Sequence, residues 1–320
     1  MTDTNKSRNL ALEFVRVTEA AAIAASEWIG RGDKIAADQA AVNEMRSRFN
    51  QIDFKGEVVI GEGLKDEAPM LFTGEKVGIG EGPEMDLAIY PLECTASVAY
   101  GRYNALAVIA AGAKDSLLHA PDTYMEKIAV GPEAVNAVDL DASIAENITK
   151  VAKALGKDKR EVTVVILDRE RHHGRIEEIR KAGARVRLIT DGDVAGAIAP
   201  SMPENPIDML MGIGASAESV LAATAIKILG GQILCRFAPQ KEAHYKLLEE
   251  SGIKDIKKIY AASDLAKGRE LTFTATGVID GPLLNGVVVK GNKIITHSLV
   301  IRGISGTMRF ITTHHHFNKI

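Results

Sequence analysis

The chain has 320 residues, of which 46% are hydrophobic and 25% are charged. This is an ordinary composition for a globular protein, and the length allows two domains or one large α/β unit with a sizeable core. The formal net charge is −3 with both signs interspersed, which excludes the basic surface that a nucleic-acid partner would need.

No segment indicates export or membrane insertion. The first residues lack the apolar stretch of a signal peptide, and no run of about 18 apolar residues is present. The two cysteines, Cys94 and Cys235, are far apart and form neither a disulfide framework nor a metal knuckle. We therefore expect a cytoplasmic protein with no membrane partner.

The chain begins with two predicted helices. Apolar residues recur at three- and four-residue spacing over residues 9–29, which predicts a long amphipathic helix that Gly30 ends. A second helix is expected to begin near Asp38, which is an acceptable N-cap residue. From the residues alone, Asp38 is a helix cap more readily than a functional group.

Two short apolar strands each end in a carboxylate. Residues 58–60 run into Gly61-Glu62-Gly63, and residues 86–90 are followed by Pro91, which is expected to end the strand because it has no N–H to donate. Glu93 and Thr95 should then project from the strand end. The alternative is a plain strand followed by a helix with Thr95 as its N-cap.

The recurrence of a carboxylate after a strand suggests one shared cleft. Glu62 and Glu93 would raise each other's pKa in such a cleft unless a cation neutralised them, and oxygen ligands suit Mg²⁺ or Mn²⁺. The alternative for the acidic loop around Glu62 is a solvated surface segment.

From residue 161 the pattern changes to alternating strands and helices. Apolar strands are predicted at residues 162–167, 185–189 and 207–211, with helices between them, which indicates parallel βαβ units. We therefore divide the chain into an N-terminal α+β half, residues 1–160, and a C-terminal α/β half, residues 161–320.

Polar groups follow each strand of the second half and should share one crevice. Arginines after the first strand suit a phosphate, and the carboxylates suit sugar hydroxyls or metal. A turn at residues 212–216 is a weak phosphate-cradle signal, and the full dinucleotide fingerprint is absent, which disfavours a nicotinamide enzyme. The histidines at 314–316 alternate faces on a predicted strand and cannot all bind one ion.

Several motifs together resemble the class II fructose-1,6-bisphosphatase family, in order and with similar spacing from about Asn9 to Phe317. The motifs are Arg31-Gly32-Asp33-Lys34, Val59-Ile60-Gly61-Glu62-Gly63, Asp66-Glu67-Ala68-Pro69-Met70, Tyr124-Met125 with Lys127, Asp191-Gly192-Asp193-Val194-Ala195, and Ala275-Thr276-Gly277.

The resemblance implies the layered αβαβα sandwich of the sugar phosphatases, which include inositol monophosphatases. It also implies hydrolysis of the 1-phosphate of fructose 1,6-bisphosphate in gluconeogenesis, with Mn²⁺ or Mg²⁺ as cofactor, by a homo-oligomer, either dimer or tetramer. The implied metal ligands are Asp38, Glu62, Glu93 and Glu218. The implied catalytic residues are Thr95, Asp38, Asp66 and Lys34. The implied substrate contacts are Glu93, Cys94, Thr95, Tyr124, Arg169, Glu170, Arg171, Asp191, Gly192, Asp193 and Ala215, with Arg171 holding the remote phosphate.

The chain departs from the family pattern at its central turn. The family reads Asp-Pro-x-Asp/Glu-Gly-Thr, so Tyr90 stands where the resemblance places a metal-ligating Asp, and Cys94 stands where it places a Gly. Ala215 and Ser219 likewise replace glycines beside Glu218. Two hypotheses follow: a bisphosphatase, weakened at these positions, or a catalytically poor relative that binds a phosphosugar as a sensor or partner subunit.

Overall fold

The computed structural model describes residues 6–63 and 70–316. The chain forms two compact units, one of Met1–Leu117 with Gly268–Ile320 and the other of Leu118–Lys267. This division differs from the predicted division at residue 160. The reason is that the last strands of the chain pair with the first sheet, a long-range pairing that local sequence patterns do not reveal.

Helices and strands alternate irregularly along the chain. The helices are α1 Lys6–Ser26, α2 Lys34–Phe49, α3 Thr95–Tyr100, α4 Ile144–Leu155, α5 His173–Lys181, α6 Val194–Ile198, α7 Ser216–Leu229, α8 Glu242–Glu250 and α9 Ala262–Leu265. The strands are β1 Lys55–Ile60, β2 Lys76–Val77, β3 Glu84–Glu93, β4 Ala105–Ala113, β5 Tyr124–Val130, β6 Thr163–Leu167, β7 Arg185–Ile189, β8 Met209–Ala215, β9 Gln232–Phe237, β10 Tyr260–Ala261, β11 Thr272–Ile279, β12 Val288–Lys290, β13 Lys293–Arg302 and β14 Thr307–His316.

The first unit is a sheet with helices on one face. Its strand order is β12-β13-β11-β4-β3-β1-β2, with β14 paired to β13. The strands pair antiparallel except β1 and β3, which run parallel. Apolar residues of α1 and α2 pack with strand residues in one core cluster, which contains Phe14, Phe49 and Phe54 with ring centroids 5.6–6.2 Å apart.

The second unit is a mixed sheet with helices on both faces. Its strand order is β10-β9-β5-β8-β6-β7. The predicted parallel arrangement is confirmed for β6, β7 and β8, whereas β5 pairs antiparallel with both β8 and β9. Helices α4 and α5 pack on one face, and Gly196 of α6 lies against Val165 and Leu210 of the other face. The predicted layered α/β fold class is confirmed, since each unit stacks helices on a sheet.

One strand prediction holds to the residue, since residues 185–189 are observed as β7. Ser143 and Glu146 form a capping box at the start of α4: the Ser143 hydroxyl accepts from the Glu146 N–H, and the Glu146 carboxylate accepts from the Ser143 N–H. Both cysteines, Cys94 and Cys235, are free thiols.

Other local predictions are wrong. Asp33 rather than Asp38 is the N-cap of α2, since its carboxylate accepts from the Ala36 N–H at 2.9 Å. Pro91 does not end β3, because a register shift between Tyr90 and Glu93 absorbs it. Thr95 is the first residue of α3, not its N-cap.

The second unit also corrects one prediction. Tyr124, a predicted substrate contact, is the first residue of β5. Residues 212–214 continue β8 and do not form a turn, so the predicted phosphate cradle at 212–216 is absent from this part of the structure. Through the described residues, no helix is long and apolar enough to cross a membrane.

The aromatic cluster offers a test of the first unit's core. Phe14 is 1% exposed in α1, whereas Leu12 of the same helix is 51% exposed. We expect Phe14→Ala to lower the free energy of unfolding by about 3–5 kcal/mol, from lost burial and the cavity left behind. The control Leu12→Ala should cost about 0.5 kcal/mol or less. Equal losses in urea unfolding would contradict this assignment of the core.

Candidate active site

Three of the predicted metal ligands belong to the first unit, and two of them are in contact. Glu62 follows β1 and Glu93 ends β3, and these neighbouring strands are parallel, so both carboxylates lie at the same end of the sheet. Asp38 lies inside α2, and its side chain is hydrogen-bonded to that of Glu62. Glu93 is buried at 1% exposure.

The contact between Asp38 and Glu62 constrains their protonation. Burial, the charge of Asp38 and the hydrogen bond with Asp38 together raise the pKa of Glu62 to about 8, and burial is the largest of these causes. Burial also raises the pKa of Asp38, opposed by the hydrogen bond from Glu62. Two half-buried carboxylates in contact need a shared proton or a cation, so this pair fits a hard divalent ion.

The pair alone is not a complete metal site. Among residues 6–63 and 70–316, no three His, Cys, Asp or Glu side chains are grouped as ligands of one ion. Asp66, a predicted catalytic residue, lies outside the described residues. The structure thus brings Asp38 and Glu62 together and places Glu93 on the adjacent strand.

The turn that carries Glu62 is held against helix α2. The Glu62 N–H donates to the Leu71 carbonyl at 3.0 Å, and a Cβ at Gly61 would stand 2.0 Å from that carbonyl oxygen, so only glycine fits. The Leu71 N–H donates to the Glu75 carboxylate, which pairs with Arg46 of α2. One helix therefore carries Asp38 and also secures the Glu62 turn. Sequence reasoning missed Arg46 and Glu75, because 29 residues separate them.

The central turn keeps a glycine-like backbone despite its cysteine. Cys94 has φ 69° and ψ 47°, the left-handed conformation that glycine adopts without steric cost. Thr95 follows it, half-buried, at the start of α3. Lys34 is exposed at the first position of α2, with its Nζ 5.2 Å from the centre of the Tyr100 ring.

In the second unit, a buried lysine joins the ends of several elements. Lys127 of β5 is 1% exposed, and its Nζ lies 2.9 Å from Asp193 Oδ2, 3.1 Å from the Ala215 carbonyl and 4.0 Å from Glu218 Oε2. Glu218 also accepts from the Ala215 N–H at 3.0 Å. Burial lowers the pKa of Lys127, but nearby anions, Asp193 first, outweigh burial, and the net shift is upward. Asp193 therefore forms an internal ion pair with Lys127.

The predicted arginine edge lies at the ends of β6 and β8. Arg169 pairs with Asp191. Arg171 is exposed, donates to the Ile213 carbonyl at 2.9 Å and lies 5.2 Å from the centre of the Tyr124 ring. Glu170 is exposed, whereas Gly192 is buried in the loop before α6. The edge thus presents Arg171 and the Tyr124 ring together.

One histidine that sequence reasoning gave no role fixes this edge. His172 is fully buried, its Nδ1 donates to the Leu167 carbonyl at 2.8 Å, and its Nε2 accepts from the Ile213 N–H at 2.8 Å. Burial lowers its pKa, which favours the neutral ring that these bonds require. His172 therefore positions the strand that Arg171 contacts.

Comparison with known proteins identifies the chain's relatives. Residues 8–315 match the family model of bacterial, glpX-encoded fructose-1,6-bisphosphatases. The chain belongs to this family. It is 45% identical to fructose-1,6-bisphosphatase 1 class 2 of Escherichia coli (strain K12), over 98% of this chain and 96% of that protein. The class 2 enzymes of Escherichia coli O6:H1 and Shigella flexneri match at the same identity and coverage.

The match to this family includes the candidate site residues. The chain and its relatives align over nearly their whole lengths, so both carboxylates of the Asp38–Glu62 pair and the arginine edge lie inside the matched region of the fructose-1,6-bisphosphatase family. The individual roles of these residues remain predictions, and the structure supplies the contacts against which each can be tested.

The buried lysine provides the first test. Lys127→Met should leave the Asp193 carboxylate buried without its cation and lower the free energy of unfolding by about 3–5 kcal/mol. Adding Asp193→Leu should recover part of this loss, because the uncompensated charge is then removed. Lys246→Met, at a side chain that is 77% exposed, is the control and should change little. Urea unfolding measures all four proteins, and no recovery in the double variant would contradict the explanation.

The carboxylate pair provides the second test. Because folding raises the pKa of Glu62 from 4.5 to about 8, its contribution to stability is complete below 4.5 and is lost as the pH rises through 8. In EDTA, the wild type should therefore lose stability relative to Glu62→Gln as the pH rises from 4.5 to 8. Glu44→Gln, at a half-exposed side chain of α2, is the control. A difference that does not vary with pH would rule out the shared proton.

Proposed function

We propose that the protein is a metal-dependent fructose-1,6-bisphosphatase that hydrolyses the 1-phosphate of fructose 1,6-bisphosphate, in gluconeogenesis or a related sugar-phosphate route. The observation that carries the proposal is a half-buried carboxylate pair in a chain of this family: Asp38 of α2 in contact with Glu62, which follows a strand of a parallel pair. The alternative, a catalytically poor sugar-phosphate sensor, is not favoured, because relatives that are 45% identical are named as the enzyme.

The proposed cofactor is Mn²⁺ or Mg²⁺. Asp38 and Glu62 would hold it with Glu93, since oxygen donors suit both ions and a cation would replace the proton that the pair shares. Metal ligation by Glu218 remains a prediction from the family resemblance. A bound divalent ion would lower the pKa of a water ligand and offset charge on the phosphoryl oxygens.

The chain's own residues would complete the reaction. The Thr95 hydroxyl, at the start of α3, would orient the attacking water for in-line displacement, with either Asp38 or Asp66 receiving the water's proton. Lys34 would supply a mobile positive charge at the start of α2. Arg171, exposed beside the Tyr124 ring, would bind the phosphate that is not cleaved.

One predicted substrate contact, Asp193, needs a different role. Asp193 is paired with Lys127, so its place in the Asp191–Asp193 segment would be to fix the loop and not to bind sugar. Asp191 and Gly192 keep the proposed contact with substrate. We place the enzyme in the cytoplasm and expect a homo-oligomer.

The test of this proposal is phosphate release from fructose 1,6-bisphosphate with Mn²⁺. The wild type should exceed a Glu218→Ala control. The double change Tyr90→Asp with Cys94→Gly should raise kcat/KM by about 10–100-fold, because it restores an anionic side chain and a glycine at the central turn. The single changes separate the two effects.

Two outcomes would contradict the proposal. Phosphate release no greater than that of Glu218→Ala would exclude the phosphatase reaction. An unchanged rate in the double variant would show that Tyr90 and Cys94 lie away from the metal site.

A further inference from the structure

Arg171 differs from other arginines of the second unit in its partners. Arg175 and Arg236 both pair with Glu126, whereas Arg171 forms no ion pair among the described residues. Its guanidinium is nevertheless fixed in place, because its Nε–H and one N–H of Nη2 donate to the Ile213 carbonyl at 3.2 and 2.9 Å. Most of the N–H groups of this guanidinium therefore remain for an anionic ligand.

The ring of Tyr124 joins Arg171 to a histidine from another part of the chain. The Arg171 guanidinium lies 5.2 Å from the centre of the Tyr124 ring, and the centre of the His244 ring lies 5.5 Å from it at an interplanar angle of 43°. Tyr124 begins β5, and His244 belongs to the first turn of α8. The fold thus brings a guanidinium and an imidazole to the same aromatic ring.

The hydrogen bond that His244 makes decides which of its nitrogens carries the proton. The Gln240 N–H donates to Nδ1 at 3.1 Å, so Nδ1 is an acceptor and the proton of the neutral ring lies on Nε2. Nε2 has no hydrogen-bond partner in the described part of the chain, although His244 is only 9% exposed. A nearly buried N–H without an acceptor is unfavourable, so this N–H is available to a ligand that accepts a hydrogen bond.

We propose that His244 is a further substrate-binding residue: its Nε2–H donates to the phosphate that is not cleaved, beside Arg171. This assignment rests on the proposed function, which places that phosphate at Arg171. A phosphate has several oxygens that accept hydrogen bonds in different directions, so it can bridge an arginine and a histidine. His244 therefore favours sugar bisphosphates over sugars that lack the second phosphate.

A purely structural role for His244 predicts a different pattern of mutant effects. In that case the bond that matters is the one from the Gln240 N–H to Nδ1, because it ties α8 to the preceding turn. Asparagine places an acceptor near the position of Nδ1, whereas glutamine places a donor near the position of Nε2. The two substitutions therefore separate the structural bond from the substrate contact.

The first experiment measures the binding of fructose 6-phosphate, which keeps the phosphate that is not cleaved, by calorimetry in the presence of Mn²⁺. His244→Ala and His244→Asn should raise Kd about 10-fold, the loss expected for one hydrogen bond to a charged group, whereas His244→Gln should stay close to the wild type. Tyr245→Ala is the matched control, since Tyr245 is 46% exposed on the same helix and should leave Kd unchanged. Thermal unfolding checks that every variant is folded.

The second experiment measures phosphate release from two substrates. With fructose 1,6-bisphosphate, His244→Asn should raise KM about 10-fold and leave kcat unchanged, because the contact is remote from the phosphate that is cleaved. With fructose 1-phosphate, which lacks the second phosphate, the variant should match the wild type.

The inference is overturned if the wild type does not bind fructose 6-phosphate, or if His244→Gln binds it no better than His244→Asn. An equal loss of kcat/KM for both substrates would overturn it as well. Binding is measured without turnover. A chain that binds fructose 6-phosphate through His244 but releases no phosphate would therefore contradict only the proposed function.

Discussion

Two half-buried carboxylates in contact, Asp38 and Glu62, set the requirement that organises this part of the first unit. Neither group is stable as an isolated anion at that depth, and their shared proton satisfies the pair only while Glu62 stays protonated. The surrounding structure nevertheless keeps them together. Helix α2 carries Asp38, and through Arg46 and Glu75 the same helix secures the turn that carries Glu62. Holding two like charges in contact destabilises the fold, but it places both carboxylates where they can bind a cation.

In the second unit, the charge of neighbouring carboxylates is compensated by an internal cation. Lys127 lies among Asp193, Glu218 and the Ala215 carbonyl, so its charge is compensated inside the fold. Such a pair needs no external ion and holds the strand ends in fixed positions. His172, kept neutral by two backbone hydrogen bonds, does the same for the edge that Arg171 contacts.

Sequence periodicity predicted the helices and strands more accurately than it predicted which strands pair. The strand at 185–189 and the capping box at Ser143 depend on residues close together in the sequence, so they can be recognised from the sequence alone. The return of β11–β14 to the first sheet could not be predicted, because strand pairing depends on contacts between distant residues. Lys127 stands in an apolar strand, where a lysine usually points to solvent. Only the three-dimensional fold shows that three acceptors surround it.

The two departures at the central turn have different physical consequences. Cys94 adopts the left-handed backbone of a glycine at a cost on the order of 1 kcal/mol, so the turn keeps its shape and the substitution adds bulk and a thiol. Tyr90 changes the charge instead, since a phenol is neutral where the carboxylate that the family resemblance places there would be anionic. The backbone that presents Glu93 and Thr95 therefore keeps its shape, and we expect the missing charge at Tyr90 to weaken metal binding more than Cys94 does.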